Sequence, residues 1–344
     1  MQRRTVLKAG LLGLTLPAGL RAAESLRVAV FPEYNVADVL REFTARHGIA
    51  VTLLTYDSNE DLLAACIKGE RFDVVTLSHY MLPHYHALGL LQNLPTTASE
   101  VAQPRHWNNR FGGLGELAGR QLALPKNYGT TGFIYRRSHF PLLRDWPEFW
   151  AAVMQLPGKR ASVLDDVQSV VGAALCNFGF SYNSTKPSQL LAADQLLSQC
   201  APHIREIQVV AEDAIRRGDW LFMSYSDGGW ANTRSDPDVV YAIPQRGGEL
   251  WCDLYAVSAS CQQPEQAGLL LSWLLQPEQI AQEVMQLGVS PVDNRVLPLL
   301  PTTLRQDPII FPSAELLAKL EFSSQEALRE PLRAEIFAKL AARL

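Results

Sequence analysis

From Leu26 to Leu77 the chain alternates between two hydrophobic periods, and that alternation leaves few folds open. Leu26 to Phe31 reads as a strand, and Pro32-Glu33-Tyr34-Asn35 breaks it. Apolar residues at Val36, Val39, Leu40 and Phe43 have helical spacing, and Gly48 ends that run. Ala50 to Tyr56 reads as a second strand. Ser58, with Asp61 three residues on, caps a helix predicted over Asn59 to Lys68. Phe72 to Leu77 is a third, apolar strand. Strands separated by helices imply a parallel sheet with covering helices. In such sheets a ligand sits beyond the carboxyl ends of the strands. The loops there carry Glu33, Tyr34, Ser78, His79 and Tyr80.

The remaining chain supports a second such unit, and 344 residues are enough for two. Thr96 to Gly119 has little periodicity and reads as irregular surface. Gln121 to Pro125 and Gly132 to Tyr135 read as two strands flanking a polar connector, Lys126 to Thr131. Helices are predicted at 146–156, 167–178 and 188–200, with strands at 160–164, 203–210, 220–225 and 239–243. Asp165-Asp166 precedes one of these helices, where a single acid suffices as N-cap. Ser226-Asp227-Gly228-Gly229-Trp230 follows the strand at 220–225. Two further helices are expected at 264–275 and 277–287, and the last 40 residues are mainly helical.

The first 23 residues do not belong to that pattern. Arg3-Arg4-Thr5-Val6-Leu7-Lys8 precedes an apolar run from Ala9 to Leu20, and Arg21-Ala22-Ala23 follows. The run is too short for a membrane span and reads as an export signal with a twin-arginine start. Without it, 27 basic residues face 35 acidic ones, a net charge of −8. That balance disfavours nucleic acid and mildly favours cationic ligands. The five cysteines have no metal-ligand spacing, and most are expected as buried thiols, although Cys176 and Cys200 leave one bridge open. No dinucleotide loop, phosphate loop, nucleophile elbow or zinc-protease motif is present, so no cofactor is expected. His79, His84 and His86 diverge along a helix and are expected to face solvent rather than hold a metal.

Gly247 to Val257 carries the clearest chemical signal. Two glycines open a strand on which Trp251, Asp253 and Tyr255 share one face, while Leu250, Cys252 and Leu254 share the other. An aromatic ring beside a carboxylate suits a small organic cation. Cys252, on the opposite face, is expected to pack.

Several ordered blocks from about Leu26 to Leu299 resemble the periplasmic solute-binding proteins of polyamine-type ABC transporters, the spermidine/putrescine group. The blocks are Leu26 to Phe43, Thr55-Tyr56-Asp57-Ser58-Asn59-Glu60, Phe72 to Val75 with Ser78 and Tyr80, Phe178 to Pro187, and Gly248 to Asp253. The resemblance implies an α/β fold of two lobes, each a mainly parallel sheet with flanking helices, closing by a hinge around the ligand. Lobe 1 would be 26–126 and 247–298, and lobe 2 would be 127–246 and 299–344. The implied site comprises Phe31, Glu33, Tyr34, Ser78, Tyr80, Tyr128, Asp166, Ser226, Asp227, Trp251 and Asp253. Asp253, Glu33 and Asp166 would hold ammonium groups, while Trp251, Tyr34, Tyr80 and Phe31 would line the methylene chain.

The match has departures. Phe31 stands where the family usually has a tryptophan, Ser226 replaces another tryptophan, Val289 replaces a tyrosine, and Ser169 stands where the spermidine-type helix has a second acid. The expected partners are a cationic amine and an ABC permease, the expected compartment is the periplasm, and the expected state is a monomer. A ligand such as an aminoalkyl acid would instead need Lys126 or Arg160 beside the acids. An exported enzyme and a sensor subunit are the remaining alternatives.

Overall fold

The structure is a computed structural model that describes residues 25–32, 34, 37–101, 104–208 and 211–344. The expected export signal therefore lies outside the described residues, as does Glu33. Thirteen strands occur among those described. They are β1 (Leu26–Val30), β2 (Val51–Thr55), β3 (Val74–Ser78), β4 (Glu116–Leu117), β5 (Arg120–Gln121), β6 (Ala123–Arg136) and β7 (Ala161–Leu164), followed by β8 (Ile204–Gln208), β9 (Leu221–Tyr225), β10 (Val239–Ala242), β11 (Gly248–Val257), β12 (Ser290–Pro291) and β13 (Leu320–Glu321). All but β4 and β5 belong to one curled sheet, whose main order is β2-β1-β3-β11-β6-β9-β7-β8.

Along the main path, the parallel pairings lie on either side of the middle, and β13 joins β11 in parallel off that path. β1 runs parallel to β2 and β3, and β7 runs parallel to β8 and β9. The centre departs from the parallel expectation. β11 is antiparallel to both β3 and β6, and β6 is antiparallel to β9. These two strands carry the chain between the two halves of the sheet, so each reverses direction relative to its neighbours.

β6 also corrects the reading of residues 121–135. It is one strand of 14 residues, and the polar run expected as a connector lies in its middle. Buried polar groups need partners, and here they find them far away in sequence. Lys126 donates to Glu283, the Asn127 side-chain amide lies within hydrogen-bond distance of the Tyr34 hydroxyl at 3.1 Å, and the Thr131 hydroxyl donates to Glu249 at 2.6 Å. Leu250 pairs with Thr130 on one side, and Tyr225 pairs with Thr131 on the other. The strand thus changes partner between those two residues.

Local signals account for most of the helices. The Ser58 hydroxyl accepts from the Asp61 amide at 3.0 Å and caps Asn59–Ile67. Asp166 caps Val167–Asn177 by accepting from the Ser169 amide at 2.6 Å. Ser226 to Trp230 opens the helix Ser226–Ser235. Its glycines serve packing, since a Cβ at Gly229 would run into the Tyr241 ring of β10.

Two apolar clusters hold the layers together. One includes Val28, Phe43, Leu77, Leu124, Leu254 and Leu271, and the other includes Phe133, Trp146, Phe149, Trp150, Val171 and Leu197. Each buried side chain of this kind contributes about 1.5–3 kcal/mol. The closing helix Pro331–Ala341 adds Ile336 and Leu340 to the second cluster. Arg333 on that helix is fully buried and donates to the carbonyl oxygens of Gln168, Tyr182 and Ser184. All five cysteines are free, and Cys252 is buried.

Candidate functional site

The ends of β1, β3 and β9, one face of β11 and the closing helices converge on a cavity of about 560 Å³. Phe31 and Tyr34 follow β1, while Ser78 ends β3 and Tyr80 follows it. Tyr225 ends β9 and Asp227 follows it. Asp165 and Asp166 precede Val167–Asn177, and Leu328, Glu330, Ala334 and Phe337 come from the C-terminal segment. Glu249, Trp251 and Asp253 enter from β11, as alternation along a strand requires. Tyr255, expected on the same face, is buried with its ring centre 5.6 Å from the Lys126 ammonium and is not in the lining.

Asp253 is held on both oxygens. One accepts from the Tyr34 hydroxyl at 2.5 Å, and the other from the Ser78 hydroxyl at 2.9 Å. Asn59 fixes the second of those donors, because its amide group donates to the Ser78 hydroxyl at 3.1 Å and also to the Tyr80 hydroxyl at 3.0 Å. Burial pushes the Asp253 carboxyl above its usual range, while the Tyr34 hydroxyl, the Lys126 charge and the Ser78 hydroxyl pull against it. Trp251 closes the wall beside it, with Tyr225 edge-on at 6.2 Å.

A second acidic centre faces the first. Glu249 accepts from the hydroxyls of Thr131 and Ser169 at 2.6 Å and of Ser323 at 3.1 Å. Ser169 therefore joins two carboxylates, giving its amide to Asp166 and its hydroxyl to Glu249. Burial first, then the charge of Glu249, pushes the Asp166 carboxyl up to about 7. An unfolded aspartate titrates near 3.9, so between those values the folded chain holds a proton that the unfolded chain lacks. This group's contribution to stability therefore declines as pH rises toward about 7.

An ammonium bound there would require the ionised carboxylate. Amine affinity is thus expected to fall as pH drops from 8 to 6, with proton release on binding. Calorimetry in buffers of different ionisation heat measures that release, and Asp166→Asn should abolish it. Absence of release near pH 6.5 in the unaltered protein would contradict the assignment.

The sequence-predicted residues divide accordingly. Phe31, Tyr34, Ser78, Tyr80, Asp166, Asp227, Trp251 and Asp253 share the cavity. Tyr128 does not, since it stacks on Phe111 at 4.2 Å and borders a separate cavity of about 240 Å³. Ser226 lies behind the lining, where its hydroxyl accepts from the Thr130 amide at 3.2 Å. His79 does not face solvent as expected. It is buried against the rings of Tyr80 and Phe322, and burial pushes its pKa down to about 4.

Sequence reasoning passed over Glu249, Asn59 and the contribution of the C-terminal segment. One signal for Glu249 was available, namely its place on the same face of β11 as Trp251 and Asp253. Gly129 opposite Trp251 gives a further test. A Cβ there would collide with the indole and with the Ser226 hydroxyl. Gly129→Ala is expected to cost about 1–3 kcal/mol of stability and to weaken ligand binding by displacing the indole, which denaturant melts and titration would register.

The lining is charged in one direction. Asp57, Glu60, Asp61, Asp165, Asp166, Asp227, Glu249, Asp253 and Glu330 contribute nine carboxylates, and no Lys, Arg or His lines the cavity among the described residues. The two cations considered beside the acids are engaged elsewhere. Lys126 is buried behind the Tyr34 ring and paired with Glu283. Arg160 lies over the Trp220 ring at 4.9 Å and donates to the Gly218 carbonyl.

Residues 38–312 match the family model of the bacterial extracellular solute-binding proteins. The chain is 26% identical over 326 residues to a putrescine/agmatine-binding protein of Pseudomonas aeruginosa, covering 87% of this chain and 86% of that one. It is 24% identical over 355 residues to the spermidine/putrescine-binding periplasmic protein of Escherichia coli K12, covering 98% of each. Among solved structures, a putative spermidine/putrescine ABC transporter protein from Listeria monocytogenes superposes with a TM-score of 0.82 at 22% identity, covering 92% of this chain and 99% of that one. A binding protein of A. tumefaciens B6 in complex with glucopine superposes with a TM-score of 0.76 at 14% identity, covering 92% and 99%. At such identities the structural likeness speaks for the two-lobe fold alone.

Proposed function

The chain belongs to the bacterial extracellular solute-binding proteins, and from that premise we propose that it captures a linear polyamine in the cavity and delivers it to an ABC permease. The observation that carries this reading is the lining itself, nine carboxylates with aromatic walls and no basic side chain among the described residues. Such a surface attracts cations and offers a carboxylate ligand no partner. The names of the relatives in Pseudomonas and Escherichia, putrescine/agmatine-binding and spermidine/putrescine-binding, support the same ligand class.

In this reading Asp253 and Asp166 hold ammonium groups, and Trp251, Tyr34, Tyr80 and Phe31 cover the methylenes. Each charged hydrogen bond contributes about 1.5–3 kcal/mol, and each amine–ring contact about 0.5–1 kcal/mol. A few such anchors suffice for micromolar binding, about 8 kcal/mol, after ordering costs. The two lobes would move about the point where β6 changes partners, at Thr130 and Thr131. The N-terminal 23 residues would direct export, by the twin-arginine route, and the exported protein would act as a monomer.

The test is calorimetric titration of the ligand-free protein with spermidine, putrescine, aminobutyrate, lysine and arginine. Heat with a polyamine and little with aminobutyrate is expected. Saturable binding of aminobutyrate with none of either polyamine would replace this reading with the aminoalkyl-acid one.

A further inference from the structure

We propose that Glu249 joins Asp166, to which Ser169 links it, in one ammonium-binding station separate from Asp253, and that the cavity selects long linear amines, with terminal charges separated as in a triamine, over short diamines; this rests on the polyamine reading above. The argument begins with the state of the Glu249 side chain. It is 3% exposed yet borders the cavity. Its partners are three hydroxyls from three separate segments, those of Thr131, Ser169 and Ser323. Hydroxyls orient a carboxylate but leave its charge uncancelled, and a buried uncancelled charge is costly. No salt bridge reaches Glu249 among the described residues. Arg333, the buried cation whose charge bears on it, directs its N–H groups to carbonyl oxygens instead. A neutral side chain would serve a purely structural role at lower cost. A buried anion that faces a cavity is completed by a cation entering that cavity.

The spacing then selects the cation. Glu249, Trp251 and Asp253 alternate on one face of β11, so the backbone positions of the two acids are about 13 Å apart along the strand at 3.3 Å per residue. The indole of Trp251 lies between them, and a ligand that meets both acids has to cross over it. An extended amine advances about 1.25 Å per bond, so its terminal nitrogens are about 6 Å apart in 1,4-diaminobutane and about 11 Å apart in a triamine with three and four methylenes. With a hydrogen bond of about 2.8 Å at each end, the diamine spans about 12 Å and the triamine about 17 Å, so only the longer chain has the length to pass over the ring between the acids, and its central ammonium then lies over the indole face, a favourable place for a cation.

The test needs no variant at first. The unaltered protein is titrated with 1,4-diaminobutane, 1,8-diaminooctane and spermidine, the last two having the same terminal separation. Both long amines are expected to bind at least tenfold tighter than the short one. In Glu249→Gln that ratio is expected to fall toward one, with a thermal melt reporting that the variant is folded. Equal affinity for the short and long diamines in the unaltered protein would overturn the proposal, as would an unchanged ratio in folded Glu249→Gln. In both cases the polyamine reading survives because the amines still bind. No heat with any amine would remove that reading as well.

Discussion

Asp253→Asn is expected to weaken polyamine binding about a hundredfold, the largest loss from any single change in the cavity. The substitution removes the charge that an ammonium meets, and a hydrogen bond to a charged group is worth about 1.5–3 kcal/mol. It also turns a donor toward the ligand. Tyr34 and Ser78 both donate to Asp253, so the new amide can satisfy them only through its oxygen, and its NH₂ is left toward the cavity or toward a hydroxyl. The ligand-free protein should not lose stability in proportion. Burial raises the Asp253 carboxyl, which means that the fold disfavours its ionised form, and a neutral side chain relieves that cost. Titration and thermal melting on the same sample separate the two effects. An affinity within threefold of the original would show that the ammonium is held elsewhere.

The largest stability effect is expected at Lys126. Its side chain is 2% exposed, its ammonium lies 3.4 Å from the centre of the Tyr34 ring, and it is paired with Glu283, itself 5% exposed. Lys126→Met leaves that carboxylate buried without a counter-charge, a defect worth about 3–5 kcal/mol. Replacing both partners with apolar residues of similar volume should recover most of the loss, because the desolvation cost of two charges disappears along with their attraction. Denaturant unfolding of Lys126→Met, Glu283→Leu and the double variant measures this directly. A double variant no better than the worse single one would show that the pair contributes something other than mutual neutralisation.

The parts of this fold that were legible in the sequence are those governed by neighbours in sequence. The Ser58 cap and the helical face of Val39, Leu40 and Phe43 need no information beyond a dozen residues, and both are present. The alternation of Trp251 and Asp253 is local in the same way, and so the cavity wall on β11 could be read early. What was illegible depends on distant partners. Lys126 and Asn127 look like loop residues until Glu283 and Tyr34, 157 and 93 residues away, make their burial acceptable. The glycines of Ser226–Ser235 look like a turn until Tyr241 supplies the ring that excludes a Cβ. Glu249 was in plain view beside Trp251, but its role depends on Ser323 and Ser169, which reach it from separate parts of the chain.

The order of the sheet also has a consequence for how the molecule is made. β11 lies between β3 and β6, two strands that precede it by more than 110 residues and do not pair with each other. Until residue 257 has been synthesised, the facing edges of β3 and β6 have no partner. Open strand edges promote pairing between chains, and contacts this distant in sequence form slowly. A chain ending before Gly248 would therefore not be a smaller stable domain but an aggregation-prone fragment. Completion of the first half of the sheet waits for the same strand that carries the acids, so a nascent chain acquires its cavity wall and closes its sheet in one late step.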